Sequence, residues 1–331
     1  MDINRPLTLA LAVERWPIAG RFTISRGAKT EAVVVVAELG DGKARGRGEA
    51  VPYARYGESV DSVVAQIESL RPRLAAGLTH DGLQQVLAPG AARNALDCAF
   101  WDLEAKRSGR PVHELAGIPA PQPRTTAFTL SLDTPEAMAQ AAAKSADRAL
   151  LKVKLGAPRD PARIAAVRAA APRAMLIVDA NEGWNEGDLA DNITACRRAG
   201  VALIEQPLPE GLDDALAAIA HPVPICADES ANDRRSLAAL AGKYDAVNIK
   251  LDKAGGLTEA LLMAAEADRH HLTVMVGCMV ATSLAMAPAM LLAQYARFVD
   301  LDGPLLLAAD RSDGLNYQDS LVYPARPTLW G

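Results

Sequence analysis

Several short apolar runs in the second half of this chain end in charged residues whose types could do chemistry together. Lys152-Val153-Lys154 closes the run Leu150–Leu155, Asp179 follows Met175–Val178, and Glu205 follows Ala202–Ile204. Asp228 comes just after Val223–Cys226, and Lys250 directly follows Ala246–Ile249. A charge at the end of an apolar strand either reaches the rim of the sheet or carries a large desolvation cost. Three carboxylates gathered at one rim repel one another and raise each other's pKa unless a cation joins them. Oxygen donors without His or Cys suit Mg²⁺, so Asp179, Glu205 and Asp228 are candidate ligands for one such ion. Any one of these acids is equally well read as a helix cap or an ion-pair partner. Three in register, with lysines on flanking strands, are harder to read that way.

The lysines supply the other half of the chemistry. Lys152 and Lys154 stand at i and i+2, so both face the same side of their strand, while Lys250 comes from a strand beyond the acids. A lysine crowded by a second cation and a metal is expected to have its pKa lowered toward neutrality and to become a usable base. Lys253 competes with Lys250, but it falls in the Ala-Gly-Gly stretch beyond the strand, so Lys250 is preferred.

Positioning such a rim requires alternating strands and helices. After a Pro-rich join at Pro119, Pro121 and Pro123, short apolar segments alternate with Ala-rich amphipathic stretches at least seven times, beginning at Ala127–Leu132 and continuing through Leu272–Val276. Arg297–Leu301 is an eighth, weaker segment. Pro135–Ala146, Pro161–Ala171 and Thr258–Arg269 read as helices between them. Repeated βα units predict a parallel sheet, and about eight of them a closed barrel. The region before the join differs. Leu7–Val13 and Ala32–Leu39 read as strands, and Ser59–Ala76 and Gly90–Leu115 as helices. The fold class expected is α/β, a modified TIM barrel (β/α)7β with an N-terminal α+β capping domain. Its parts would be residues 1–122 as the cap, 123–310 as the barrel, and 311–331 as a segment returning to the cap.

Composition narrows the partners. The chain has 331 residues, half of them hydrophobic, and a formal charge of −5, which gives no reason to expect nucleic acid or an anionic membrane. No run of about 18 uncharged apolar residues occurs, and Arg5, Glu14 and Arg15 interrupt the only apolar stretch near the N-terminus. Cys98, Cys196, Cys226 and Cys278 are scattered and read as reduced thiols of a cytoplasmic protein. The five histidines occupy none of the rim positions and read as surface or loop residues. Gly46-Arg-Gly48-Glu49 lacks the full glycine pattern of a nucleotide loop and reads as a turn in the cap.

Taken together, Lys-x-Lys, Asp179, Glu205-Gln-Pro, Asp228-Glu-Ser and Asn248-Ile-Lys250 resemble the enolase superfamily, and specifically its muconate lactonizing enzyme subgroup. The stretch Ala92–Lys106 resembles that family's pattern near the end of the capping domain. The resemblance implies that Asp179, Glu205 and Asp228 bind one Mg²⁺ per subunit. It further implies that Lys154 and Lys250 form an opposed acid/base pair, with Lys152 assisting Lys154. Enolase-superfamily sites are a standing example of a Lys or His base working with Mg²⁺ on an ene-diolate, so that chemistry comes with the family. The mandelate racemase branch uses a histidine after strand seven, where this chain has Val276-Gly-Cys-Met279.

Within the subgroup two features resemble dipeptide epimerases, above all the L-Ala-D/L-Glu epimerases. Asp300-Leu-Asp302 resembles the motif that holds a dipeptide's ammonium group; carboxylates at i and i+2 share a face and can clamp a cation. Arg26 falls where those epimerases place an arginine near the glutamate side chain, and a planar guanidinium suits a carboxylate. Thr129, Cys278 and Met279 would line the same site. The expected partner is a dipeptide, with association into a homo-oligomer left open. N-acylamino acid racemase, o-succinylbenzoate synthase and muconate cycloisomerase are alternatives on the same scaffold. A binding protein that has lost catalysis is the alternative from another class.

Overall fold

The computed structural model describes residues 6–331, so Arg5 lies outside it. The chain begins with a long hairpin, β1 (Thr8–Ile24) and β2 (Gly27–Gly40), to which β3 (Arg45–Ala50) adds antiparallel to β2. Both hairpin strands run well past the apolar cores expected from the sequence. The ladder continues from Thr8↔Gly40 to Ile24↔Gly27, with a shift between Pro17 and Phe22, and this carries Ser25 and Arg26 to the hairpin tip.

Gly46-Arg-Gly48-Glu49 is not a turn. It is β3, and the two glycines are there because the backbone of a helix, at Ala99 and Ala95, occupies the space where their Cβ atoms would sit. A glycine pair here signals close helix-on-strand approach rather than a bend.

Four short helices and one long one cover this sheet: α1 (Val60–Ser69), α2 (Arg71–Ala75), α3 (His80–Val86), α4 (Ala91–Ser108) and α5 (Val112–Leu115). The expected helix over 59–76 is two helices, because Pro72 lacks an N–H and starts a new one. The expected 90–115 helix is likewise divided, where Gly109 adopts φ 68° and caps α4.

β4 (Arg124–Thr125) precedes an eight-stranded parallel sheet built from β5 (Phe128–Leu130), α6 (Pro135–Lys144), β6 (Leu150–Lys154), α7 (Asp160–Ala170), β7 (Met175–Asp179), α8 (Glu186–Arg198), β8 (Val201–Glu205), β9 (Ile225–Ala227), α9 (Leu237–Leu240), β10 (Ala246–Ile249), α10 (Leu251–Ala254), α11 (Leu257–Arg269), β11 (Thr273–Val276), α12 (Ser283–Leu292) and β12 (Phe298–Val299). The sheet curls so that its first and last strands meet, with Ala127 N donating to Val299 O at 2.8 Å. One unit departs from the rhythm: a 3-10 turn, Asp214–Ala218, stands where a helix between β8 and β9 was expected. The chain then forms a hairpin, β13 (Tyr317–Gln318) and β14 (Leu321–Val322), which pairs with β4. No helix among the described residues is long and apolar enough to cross a membrane.

The barrel interior explains where the charges go. Ala127, Leu150, Ile177, Leu203, Cys226, Ala246, Met275 and Phe298, one from each strand or its immediate approach, pack into a single apolar plug. Side chains alternate along a strand, so the next inward residue is two positions on. Two positions on from the plug stand Thr129, Lys152, Asp179, Glu205, Asp228, Asn248, Gly277 and Asp300. A polar ring thus sits directly on an apolar floor.

Candidate active site under the cap

The three acids converge. Asp179, Glu205 and Asp228 each offer a carboxylate oxygen, and these oxygens all lie within 4.8 Å of one another, fully buried. Their oxygen-only donor set, supplied by three consecutive strands, fits a hard divalent cation.

Around them stand the lysines. Lys152 Nζ lies 2.7 Å from Asp300 Oδ2, 2.7 Å from Glu205 Oε2 and 3.2 Å from Asp179 Oδ2. Lys154 Nζ donates to Asp179 Oδ2 at 2.6 Å, and Lys250 Nζ to Asp228 Oδ2 at 2.6 Å. Because β7, β8 and β9 separate β6 from β10, Lys154 and Lys250 approach the acids from opposite sides. The ring of Phe22, from the cap, lies 5.7 Å from Lys154 Nζ.

Among the protein's own groups, the acids dominate the electrostatics. Six buried carboxylates (Asp179, Glu205, Asp228, Glu229, Asp300, Asp302) face four buried lysines and the half-buried Arg26. Burial opposes the charge on Lys152, yet Asp300, Glu205 and Asp179 outweigh it and hold this ammonium well above the ordinary lysine range. Lys250 is raised in the same way, against burial, by Asp228 and Glu205. Among carboxylates alone these lysines are therefore raised; the expected lowering belongs to the site with a metal shared among those acids. Neighbouring cations are present as expected, but the surplus of acids outweighs them.

The acids divide unequally. Burial, then repulsion from Asp179, pushes Glu205 up to about 8. Asp179 is held at about 2, since Lys154 and Lys152 overcome its desolvation. Burial likewise disfavours the charge on Asp228, but Lys250 and Lys253 draw it well below the usual range.

The remaining candidates line one cavity of about 740 Å³ between cap and barrel: Arg26, Thr129, Cys278, Met279, Asp300 and Asp302 all face it. Asp300 and Asp302 do not share a strand face as expected, because β12 ends at Val299 and Asp302 opens a 3-10 turn. They reach the same cavity by that turn. Asp300 Oδ2 is taken by Lys152, while its Oδ1 is buried without a hydrogen-bond partner. Asp302 Oδ2 accepts the Thr129 N–H at 2.6 Å, and burial followed by repulsion from Asp300 raises its pKa to about 7. Arg26 is already engaged, with Nη2 on Glu229 Oε1 at 2.7 Å and Nη1 on Asn181 O at 2.9 Å and Glu182 Oε2 at 3.1 Å.

Other side chains here were set aside or missed by the sequence reading. Lys253 is not on a loop: it lies in α10, buried, with Nζ 2.6 Å from Asp228 Oδ1 and 3.1 Å from Asn248 O. A single helical turn brings it back beside Lys250, and the i, i+3 spacing could have signalled that. Glu229, adjacent to Asp228, is buried against Arg26, and the acidic doublet was visible. Tyr56 and Arg55 come from the cap, and only its docking brings them here. His80 is no plain surface residue either. Its Nε2 lies 2.7 Å from Oδ1 of fully buried Asp97, and its ring stacks on Phe100.

An antiparallel-sheet cap over a barrel whose mouth holds three acids between lysines defines the enolase-like class of fold. Residues 136–324 match the enolase C-terminal domain-like model, and residues 7–117 match the mandelate racemase / muconate lactonizing enzyme N-terminal domain. The chain belongs to the mandelate racemase / muconate lactonizing enzyme family. Among its relatives, the L-Ala-D/L-Glu epimerase of Escherichia coli K12 is 48% identical over 94% of this chain and 97% of its own. The N-acetyl-D-glutamate racemase of a Pseudoalteromonas species is 46% identical over 90% and 95%. An enolase family member from Agrobacterium tumefaciens, described as homologous to dipeptide epimerases and solved with sodium and L-Ala-L-Glu, superposes with a TM-score of 0.97. It is 57% identical and covers 98% of this chain and 100% of its own.

Proposed function

We propose that this protein is a dipeptide epimerase that inverts the α-carbon of the C-terminal residue, with L-Ala-D/L-Glu as its substrate. The observation that carries this reading is the placement of Lys154 and Lys250 on opposite sides of the acid triad, in one cavity that also contains Asp300 and Asp302. One lysine takes the α-proton from one face of the substrate and the other returns a proton to the opposite face, which inverts the centre. Asp179, Glu205 and Asp228 would hold Mg²⁺, which supplies positive charge where the substrate carboxylate gains negative charge. Lys152, buried among the acids, adds fixed positive charge beside Lys154.

Asp302 and the free Oδ1 of Asp300 suit the dipeptide's ammonium group. Arg26 at the cavity mouth suits a side-chain carboxylate. Thr129, Cys278 and Met279 form the walls. Turnover of cell-wall peptides in the cytoplasm is the setting this reading implies.

A second reading, racemisation of N-acetylglutamate, is favoured by the similarity to the Pseudoalteromonas enzyme. It needs the same metal and lysines but no clamp for an ammonium group. Proton NMR in D₂O with Mg²⁺ separates the two. L-Ala-L-Glu should lose its glutamyl α-proton signal while the L,D diastereomer appears, and EDTA should stop this until Mg²⁺ is restored. Exchange of N-acetylglutamate with silence from every dipeptide would establish the second reading. Silence from both substrate classes would return the protein to a binding role.

A further inference from the structure

Two pieces of the cap roof the cavity, the hairpin tip at Ser25–Arg26 and the segment 53–58, and both are fastened to the same short piece of barrel. Arg55 sets Nε and Nη2 on Oε2 and Oε1 of Glu182 at 2.9 and 2.7 Å, and its Nη2 also reaches Glu210 Oε2 at 3.0 Å. Arg26 Nη1 reaches Glu182 Oε2 at 3.1 Å, and Ser25 Oγ donates to Asn181 O at 2.7 Å. The Glu210 N–H donates to Glu182 Oε1 at 2.9 Å. One carboxylate thus gathers two guanidinium groups from two separate cap segments.

The turn that presents this carboxylate is held in an unusual shape. Asn181 and Glu182 both lie in the left-handed region, with φ of 44° and 64°. Such conformations in consecutive non-glycine residues persist only where surrounding contacts enforce them, and they gather at functional sites. Beneath the turn, Gly183 meets the backbone of Gly156 so closely that neither position has room for a Cβ atom. The turn also starts beside the acid triad, since Asn181 N donates to Asp179 Oδ1 at 2.9 Å.

We propose that Glu182 is a latch, a positioning residue that holds both cap segments closed over the cavity and fixes Arg26 at its mouth. A forked arginine–carboxylate pair fixes geometry as well as charge, unlike an isolated surface ion pair. Because one carboxylate serves both segments, its loss loosens the two together, 53–58 more than the hairpin tip, which keeps Glu229 and Asn181 O. The fastening itself stands independently of the epimerase reading; only its kinetic consequence rests on that reading.

Hydrogen–deuterium exchange of the full chain tests the latch. Glu182→Gln should raise exchange in both 22–29 and 53–58, whereas Arg55→Gln should raise it in 53–58 alone. In the double variant, exchange of 53–58 should be no faster than in Arg55→Gln, which already loses both Glu182 and Glu210. Unchanged exchange in either segment of Glu182→Gln, or effects that add in the double variant, would overturn the latch. If Glu182→Gln does not fold, Arg55→Gln, on the outer side of the pair, carries the same test through 53–58. For L-Ala-L-Glu, the latch predicts about a tenfold rise in KM with kcat within about threefold of wild type. A fall in kcat at constant KM would contradict a positioning role. A wild type that turns over no dipeptide would sink the epimerase reading while the exchange data still judge the latch.

Discussion

Asp252 sits at the junction of cap and barrel, buried, its Oδ1 accepting the N–H of Val51 at 2.9 Å and the side-chain amide of Asn94 at 2.9 Å. Burial pushes its pKa from 3.8 up to about 7; the two hydrogen bonds offset part of this, and Glu58 and Glu49 add to it. Below about pH 4 the carboxyl is protonated in both folded and unfolded chains. Between pH 4 and 7 the unfolded chain loses the proton while the folded protein keeps it, so stability falls as pH rises and then levels off above 7. A rise of that size corresponds to about 4 kcal/mol. Asn at this position offers the same acceptor oxygen without the charge. Asp252→Asn should therefore match wild type near pH 4 and exceed it by up to about 4 kcal/mol at pH 8. For a chain of this size that is a rise in Tm of roughly 6 °C. Paired thermal melts across pH 4–8 check this. A gap that stays constant with pH, or a mutant less stable at pH 8, would refute the reasoning.

Arg311→Met should destabilise the protein by about 3–5 kcal/mol in chemical denaturation, because it strands the fully buried Glu49, whose Oε2 it meets at 2.7 Å. A loss below about 1 kcal/mol would mean that Thr282 alone satisfies that carboxylate. Gly183→Ala should cost about 1–3 kcal/mol through overpacking against Gly156, read as a lower denaturation midpoint; a neutral result would show that the loop has room to shift. Asp302→Asn should lower kcat/KM for L-Ala-L-Glu by about 10–100-fold while sparing N-acetylglutamate, and equal losses on both would remove the case for an ammonium clamp. It is a cleaner probe than Asp300→Asn, which would also strip Lys152 of a counter-ion at 2.7 Å.

The barrel and its polar rim were legible because both follow from local rules. Each apolar segment becomes a strand, and alternation places the residue two beyond each plug residue into the mouth. Asp179, Glu205, Asp228 and Lys152 could be aligned by counting alone. Other features required knowledge of what packs on what. The β1–β2 ladder extends beyond its apolar core, and that length decides where Arg26 stands. Glu182 and Arg55 are 127 residues apart and acquire meaning only when the cap docks. Gly46 and Gly48 looked like a bend because the helix pressed against them is invisible to a local reading.

The helix α4 receives its final partners very late. Trp330 Nε1 donates to Cys98 O at 3.0 Å across 232 residues, and Gly331 N donates to Asp102 Oδ1 at 2.7 Å across 229. During synthesis at roughly 5–20 residues per second, α4 leaves the ribosome some 10–45 seconds before those partners exist. Throughout that interval the helix and the sheet beneath it wait for the whole barrel to be translated. The cap is translated before the barrel and completed after it, so a chain halted just short of Trp330 would carry its barrel beneath an unfastened cap.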